Sequence, residues 1–248
     1  MALDPITPSK SLAFELSRAG YDVWLSNNRG SVYGKGHQSL SSESGDPQFW
    51  KFSFDEIARY DVPAVIDYVL NQTKQESLHY IGHSQGAATM FALLSETSSV
   101  NRKLASFTAI SPVTRLGKAS TSFQLLLKSR LGVLLSHMPT STSAQNLLHF
   151  DQLFSTGRFA KFDHGLVRNL QLYGSSQPPQ YNLTSISFSN PLTVIYSDND
   201  WFVPVSSVEA LREDLNFTNK NSNVEFYLIS RPNSNHLDPL IGREVALE

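Results

Sequence analysis

The sequence predicts an α/β protein, a mostly parallel sheet with helices on both faces, and three observations carry that prediction. Short β-rich runs alternate with helical patterns, the rhythm of strands joined by crossover helices. The strand candidates are mostly apolar rather than alternating, as strands covered on both faces should be. No internal repeat or low-complexity tract interrupts the pattern, and 248 residues with 40% apolar side chains suffice for one large core. Residues 1–248 therefore read as a single domain.

In chain order, the first element is a helix over Ser11–Arg18, stopped by Gly20. A strand over Tyr21–Leu25 follows. Phe54–Leu70 reads as a long helix with Ile57, Ala64, Val65 and Tyr68 on one stripe, and Pro63 inside it predicts a kink or restart. Leu78–Ile81 is a strand running into a small-residue helix, Gly86–Leu94, and Ser106–Ile110 is the next strand. A helical pattern over Thr121–Leu135 is more apolar than an exposed helix would be, so it packs over core or pocket. Ser136–Ser143 and Gly174–Asn182 read as loops. Strand Leu192–Tyr196, helix Val205–Leu215 and strand Val224–Ile229 complete the pattern.

Composition excludes several functions. Twenty Lys and Arg against 22 Asp and Glu give a net charge of −2, and no stretch concentrates basic residues, so nucleic acid is not an expected partner. With no cysteine in the chain, disulfides, thiolate metal sites and a cysteine nucleophile are ruled out. No apolar run approaches the roughly 18 residues that cross a bilayer. The opening MALDPITPSK lacks a basic-then-apolar secretory pattern. Glycosylation sequons at Asn71, Asn182 and Asn216 would matter only in a secretory compartment.

The chemistry concentrates at Gly82-His83-Ser84-Gln85-Gly86, a G-x-S-x-G set where a strand ends and a helix begins. A turn that sharp strains the backbone at Ser84, so glycines are expected two residues to either side, at Gly82 and Gly86. Ser84 then stands above the sheet at the positive end of a helix, and the Gln85 backbone N–H is an oxyanion donor. A serine hydroxyl needs a base, and the base needs an orienting acid. His236 is the one histidine in the last eighty residues and follows the last strand candidate. Ser197-Asp198-Asn199-Asp200 follows the preceding strand and offers two aspartates. Asp200 is favoured, because Asp198 sits in turn position nearer the strand end. His83 reads as either a packed residue or a support behind the site rather than a catalytic one, since it points away from the exposed face of the serine. The remaining histidines, His37, His79, His137, His149 and His164, show no metal-ligand spacing with one another or with carboxylates, and no role is assigned to them.

With these residues in view, the sequence resembles the acid lipase family of the α/β-hydrolase fold, which includes the gastric and lysosomal lipases. The resemblance lies in AGYDVWLSNNRGSVYG (19–34), FWKFSFDEIARYDVPAVIDYVL (49–70), LHYIGHSQGAATMF (78–91), SQPPQYNLTSI (176–186), SDNDWFVP (197–204) and NHLD (235–238). It implies nucleophile Ser84, acid Asp200 and base His236, a lipid-ester substrate such as a triacylglycerol or cholesteryl ester hydrolysed without a metal or organic cofactor, and transient contact with a lipid interface. It also implies a secreted or lysosomal setting, which the missing secretory pattern does not itself suggest. Two departures are visible. Family members carry several strands and an H-G-L-type oxyanion loop ahead of the segment matching Ser11, whereas here ten residues precede it and no His-Gly occurs upstream of Ser84. The sheet is thus expected to be N-terminally truncated, without the strand between Tyr21–Leu25 and Leu78–Ile81. The cap, about 112–175, is shorter than the family's. The expected activity is carboxylic-ester hydrolysis, impaired by the lost oxyanion donor; the alternatives are a non-catalytic acyl-chain binder or an esterase for shorter, soluble esters.

Overall fold

A computed structural model describes residues 11–43, 46–116, 141–216, 223–231 and 234–241. Its centre is a four-stranded parallel sheet of β1 (Leu78–His83), β2 (Leu104–Ile110), β3 (Leu192–Ser197) and β4 (Val224–Ile229), in the order β1-β2-β3-β4. Because all pairings are parallel, every strand delivers its C-terminal end, and the loop after it, to one edge of the sheet. Ligand chemistry in open parallel sheets gathers at that edge. The two central strands are largely buried, whereas β1 and β4 are half exposed, as sheet edges are. Coverage on both faces thus applies to the middle of the sheet only.

The α-helices among the described residues are α1 (Leu12–Arg18), α2 (Phe54–Glu56), α3 (Val62–Thr73), α4 (Gln85–Glu96), α5 (Ala144–Thr156), α6 (Leu166–Tyr173), α7 (Val205–Asn216) and α8 (Asp238–Ile241). A capping box starts α2: the Ser53 side chain accepts from Asp55 N–H, and the Glu56 carboxylate accepts from Ser53 N–H. Such caps contribute about 1 kcal/mol. Between α2 and α3 the chain makes one π-helical turn, Ile57–Asp61, and Pro63 sits at the first turn of α3, where its missing N–H costs nothing. That turn corrects the expected stripe. The wider turn rotates the following face, so Ile57, Ala58, Val62, Ile66 and Val69 are buried while Ala64 and Tyr68 face outward.

The expected strand Tyr21–Leu25 is not a strand. It forms no ladder among the described residues, and Tyr21, Trp24 and Leu25 are exposed. It is tethered by one backbone bond, Tyr21 N–H to the Leu16 carbonyl at 3.1 Å, and by ring contacts, Tyr21 edge-on to His79 at 6.2 Å and Trp24 edge-on to Tyr68 at 5.9 Å. An extended segment without a strand beside it has no ladder to complete, so its β propensity goes unused. The apolar pattern Thr121–Leu135 lies outside the described residues. Helices α5 and α6 were not expected; Ser143, which caps α5 by accepting from Asn146 N–H, was the available signal.

The core joins α2, α4 and the sheet through Phe52, Phe54, Phe91, Phe107, Phe154 and their aliphatic neighbours. Its flank holds a buried polar group. His149 stacks on Phe54 at 4.1 Å, meets Phe162 edge-on at 5.4 Å, and donates from Nε2 to the Ala160 carbonyl at 2.9 Å. Asp55 accepts from Tyr181 O–H and from Phe162 N–H. The Nδ1 of His149 lies 3.8 Å from the Asp55 carboxyl. Burial pushes the Asp55 carboxyl up to about 6, against the opposing pull of Tyr181, Phe162 N–H and Lys161. Burial also pushes His149 down to about 4. At neutral pH the two are therefore not an ion pair.

Candidate active site

The site stands at the C-terminal edge of the sheet. Ser84 follows β1 directly, with φ 54° and ψ −115°, and α4 begins at the next residue. A non-glycine residue there is strained, and the surroundings impose it: Ser84 N–H is tied to the Ile110 carbonyl of β2 at 2.9 Å, while the first turn of α4 closes onto the Ser84 carbonyl. The turn brings β1 so close to α4 that a Cβ on Gly82 would lie 2.7 Å from backbone atoms of Gly86 and Ala87. Gly86 differs from the sequence expectation. Among the described residues nothing lies within 4 Å of a Cβ built there, so only Gly82 is sterically required to be glycine.

Three side chains from separate strand ends meet. Ser84 Oγ lies 2.8 Å from His236 Nε2, and His236 Nδ1 lies 2.8 Å from Asp200 Oδ2. The other carboxylate oxygen, Oδ1, accepts from the N–H groups of Phe202 and Val203, each at 2.8 Å. With one oxygen occupied by backbone, Asp200 can present only Oδ2 to the imidazole, which fixes the tautomer: Nδ1 carries the proton and Nε2 is left to accept from Ser84. Burial alone would raise the Asp200 carboxyl, yet the hydrogen bond and charge of His236, with the two backbone donors, hold it below the ordinary carboxylate range. Asp200 and His236 are both buried, and Ser84 is partly exposed.

The second aspartate of the pair goes elsewhere. Asp198 is exposed and accepts from Ser230 Oγ at 2.7 Å and from Asn199 Nδ2, fastening the end of β4 to the turn after β3. The loop carrying His236 is held by Ser197 Oγ, which donates to the Ser234 carbonyl at 2.6 Å, and by Asn199 Nδ2, which donates to the Arg231 carbonyl.

Helix α5 lies against the nucleophile turn. Its buried Asn146 donates from Nδ2 to Gln85 Oε1 at 2.8 Å, while Phe154 meets Phe202 edge-on at 5.3 Å. The Gln85 side chain is thus anchored, and its backbone N–H sits in the first turn of α4, where helical N–H groups have no partner within the helix. Sequence reasoning did not find Asn146, since nothing in its local pattern distinguishes it from any other helix-start amide. Among the described residues no group of three or more His, Cys, Asp or Glu is placed to hold a metal ion. None of their helices is long and apolar enough to cross a membrane.

The sequence profile of the α/β hydrolase fold matches residues 8–132. Gastric triacylglycerol lipase of Bos taurus is 33% identical over 288 aligned positions, covering 93% of this chain and 70% of the relative. Lysosomal acid lipase/cholesteryl ester hydrolase of Macaca fascicularis is 29% identical, over 94% of this chain and 70% of the relative. This chain belongs to the acid lipase family of α/β hydrolases. Membership places it among the carboxylic ester hydrolases and accounts for the parallel sheet with helices. A solved esterase of Pyrococcus furiosus is similar in fold, with a TM-score of 0.44 and 21% identity over 75% of this chain and 56% of that one.

Proposed function

We propose that the chain, read as one catalytic domain over residues 1–248 with 112–175 as its cover, hydrolyses lipid esters through an acyl-enzyme formed on Ser84. The observation that carries this reading is the continuous hydrogen-bonded path from Ser84 Oγ through His236 to Asp200. Ser84 Oγ attacks the ester carbonyl carbon while His236 Nε2 takes its proton. The carbonyl oxygen becomes an oxyanion beside the Gln85 N–H and the positive end of α4, where one such donor is worth about 10²–10³ in kcat. Collapse of the tetrahedral intermediate breaks the C–O bond to the alcohol, which leaves with the proton from His236. Water then attacks the acyl-serine, gives its proton to His236, and the fatty acid departs as that proton returns to Ser84 Oγ. Asp200 holds the imidazole throughout and stabilises its charged form. The sequence of steps calls on no metal or organic cofactor.

Triacylglycerol and cholesteryl ester are the proposed substrates because the relatives are named for them. The same names, gastric and lysosomal, support a secreted or lysosomal place of work. On α6, Leu166, Val167 and Leu170 are exposed on one side of the helix, which supports transient contact with a lipid interface.

The test is fatty-acid release from a triacylglycerol emulsion, a cholesteryl ester emulsion and a short p-nitrophenyl ester, by the wild-type chain and by Ser84→Ala. The reading expects turnover that falls at least about a thousandfold in the variant. Turnover surviving in Ser84→Ala would contradict it. Saturable fatty-acid binding by folded protein without any turnover would replace it with acyl-chain binding.

A further inference from the structure

The nucleophile's neighbour touches the base. His83, the last residue of β1, places its Nε2 2.8 Å from the backbone carbonyl of His236, and the two imidazole rings lie 4.8 Å apart at 49°. A carbonyl can only accept, so Nε2 of His83 carries the proton and donates. Consecutive residues, His83 and Ser84, therefore grip one residue at two points, its backbone and its ring.

We infer that His83 is a positioning residue for the proposed reaction, pinning the His236 backbone so that its imidazole stays over the site when Ser84 no longer holds it. The inference rests on the catalytic roles proposed above for Ser84, His236 and Asp200.

The sheet order shows why a second grip is needed. Among the described residues β1 and β4 are opposite edges of the sheet, with β2 and β3 between them, so the loop after β4 must reach across two strands to meet a serine at the end of β1. Adjacent strands are about 4.8 Å apart, making the reach roughly 14 Å. Over β3 the loop is held by Ser197 and Asp200. At its far end it meets β1 through Ser84 and His83.

Of those two contacts, one is consumed by chemistry. Once Ser84 Oγ is acylated it has no proton to donate, yet His236 must then take a proton from water. Asp200 holds the ring at Nδ1 and Phe202 packs against it at 4.8 Å, but both act on the ring and neither fixes the backbone from which it hangs. The His83 bond involves no reacting atom and persists through both half-reactions. Burial, and then the neighbouring His236, press His83 down to about 4. Above that pH it therefore offers one N–H without adding positive charge beside the imidazolium formed during turnover.

Three variants separate positioning from packing. His83→Gln keeps an N–H donor near the Nε2 position, His83→Met has nearly the same length without a donor, and His83→Phe keeps an aromatic ring without a donor. Each is measured for thermal melting, for labelling by a fluorophosphonate, and for kcat and KM on p-nitrophenyl butyrate. The expectation is that Met and Phe lower kcat by roughly 10–100-fold with KM within about threefold of wild type, and that Gln recovers most of the loss. Either Met or Phe serves as the donor-free comparison if the other melts early. Wild-type kcat in a folded donor-free variant, or a Gln variant as slow as Met, would overturn the inference. A wild-type chain that neither labels nor turns over would instead overturn the catalytic reading beneath it.

Discussion

Replacing Asp55 by Asn should make this protein's stability fall with acid more steeply than the wild type's. In the folded chain Asp55 titrates near 6 rather than 3.8, and His149 near 4 rather than 6.5. At pH 5 the unfolded chain carries a proton on His149 and none on Asp55, whereas the folded chain carries one on Asp55 and none on His149. The two states bind equal numbers of protons at this pair, so the pair adds no slope to stability between about pH 4 and 6.5. In Asp55→Asn only the histidine remains. Its folded value is depressed, so its contribution is complete above 6.5 and is lost as pH falls through 6.5 toward 4. The difference of 2.5 between the two histidine values, at 1.36 kcal/mol per unit, comes to about 3 kcal/mol, or roughly 6–12 °C in melting temperature for a chain of this size. Thermal melts at pH 4, 5, 6 and 7 make the comparison. The variant's curve should drop below the wild type's progressively on acidification. Parallel curves would refute the claim that the buried carboxyl offsets the buried imidazole.

The same pair predicts the opposite sign for His149→Gln, which retains only the raised carboxyl: its melting temperature, relative to wild type, should rise as pH falls from 6 toward 4. Gly82→Ala should disrupt the nucleophile turn and lower melting by several degrees or prevent folding, because its Cβ meets backbone at 2.7 Å. Gly86→Ala, with open space in the described surroundings, should melt at or above the wild-type temperature, as Ala is favoured over Gly in a helix by up to about 1 kcal/mol. Asp200→Asn should lower kcat by roughly 10³–10⁴ through loss of the tautomer that leaves Nε2 free. Asp198→Asn should stay within a few-fold, since Asp198 contacts the β4 end rather than His236; steady-state kinetics on one soluble ester ranks the two.

How much of this could be read from sequence depended on whether the signal was local. Strands β1 to β4 and helices α1, α4 and α7 appear close to their expected bounds, because apolar runs, Gly20 and the G-x-S-x-G turn are short-range signals. Tyr21–Leu25 failed for a non-local reason: a strand is defined by its neighbour, and this segment has none among the described residues. The α2–α3 stripe failed because a π turn leaves no mark in residue spacing, yet it rotates everything after it. At the site, the expectation of Ser84, His236 and Asp200 came from chain order and strand ends; the structure brings these three side chains together, and Asp200 rather than Asp198 hydrogen-bonds to His236. His83 is open in sequence between packing and support of the site. Its bond reaches a carbonyl 153 residues away, a contact that only the sheet order makes possible.

The central claim is that Ser84 is an activated nucleophile served by His236. The direct measurement is fluorophosphonate labelling of purified, folded protein beside Ser84→Ala and His236→Ala, with the adduct located by peptide mass spectrometry. The account predicts one adduct, on Ser84, absent in the first variant and slowed at least a hundredfold in the second. An unlabelled wild-type chain that melts cooperatively, or labelling that survives the loss of His236 undiminished, would contradict it.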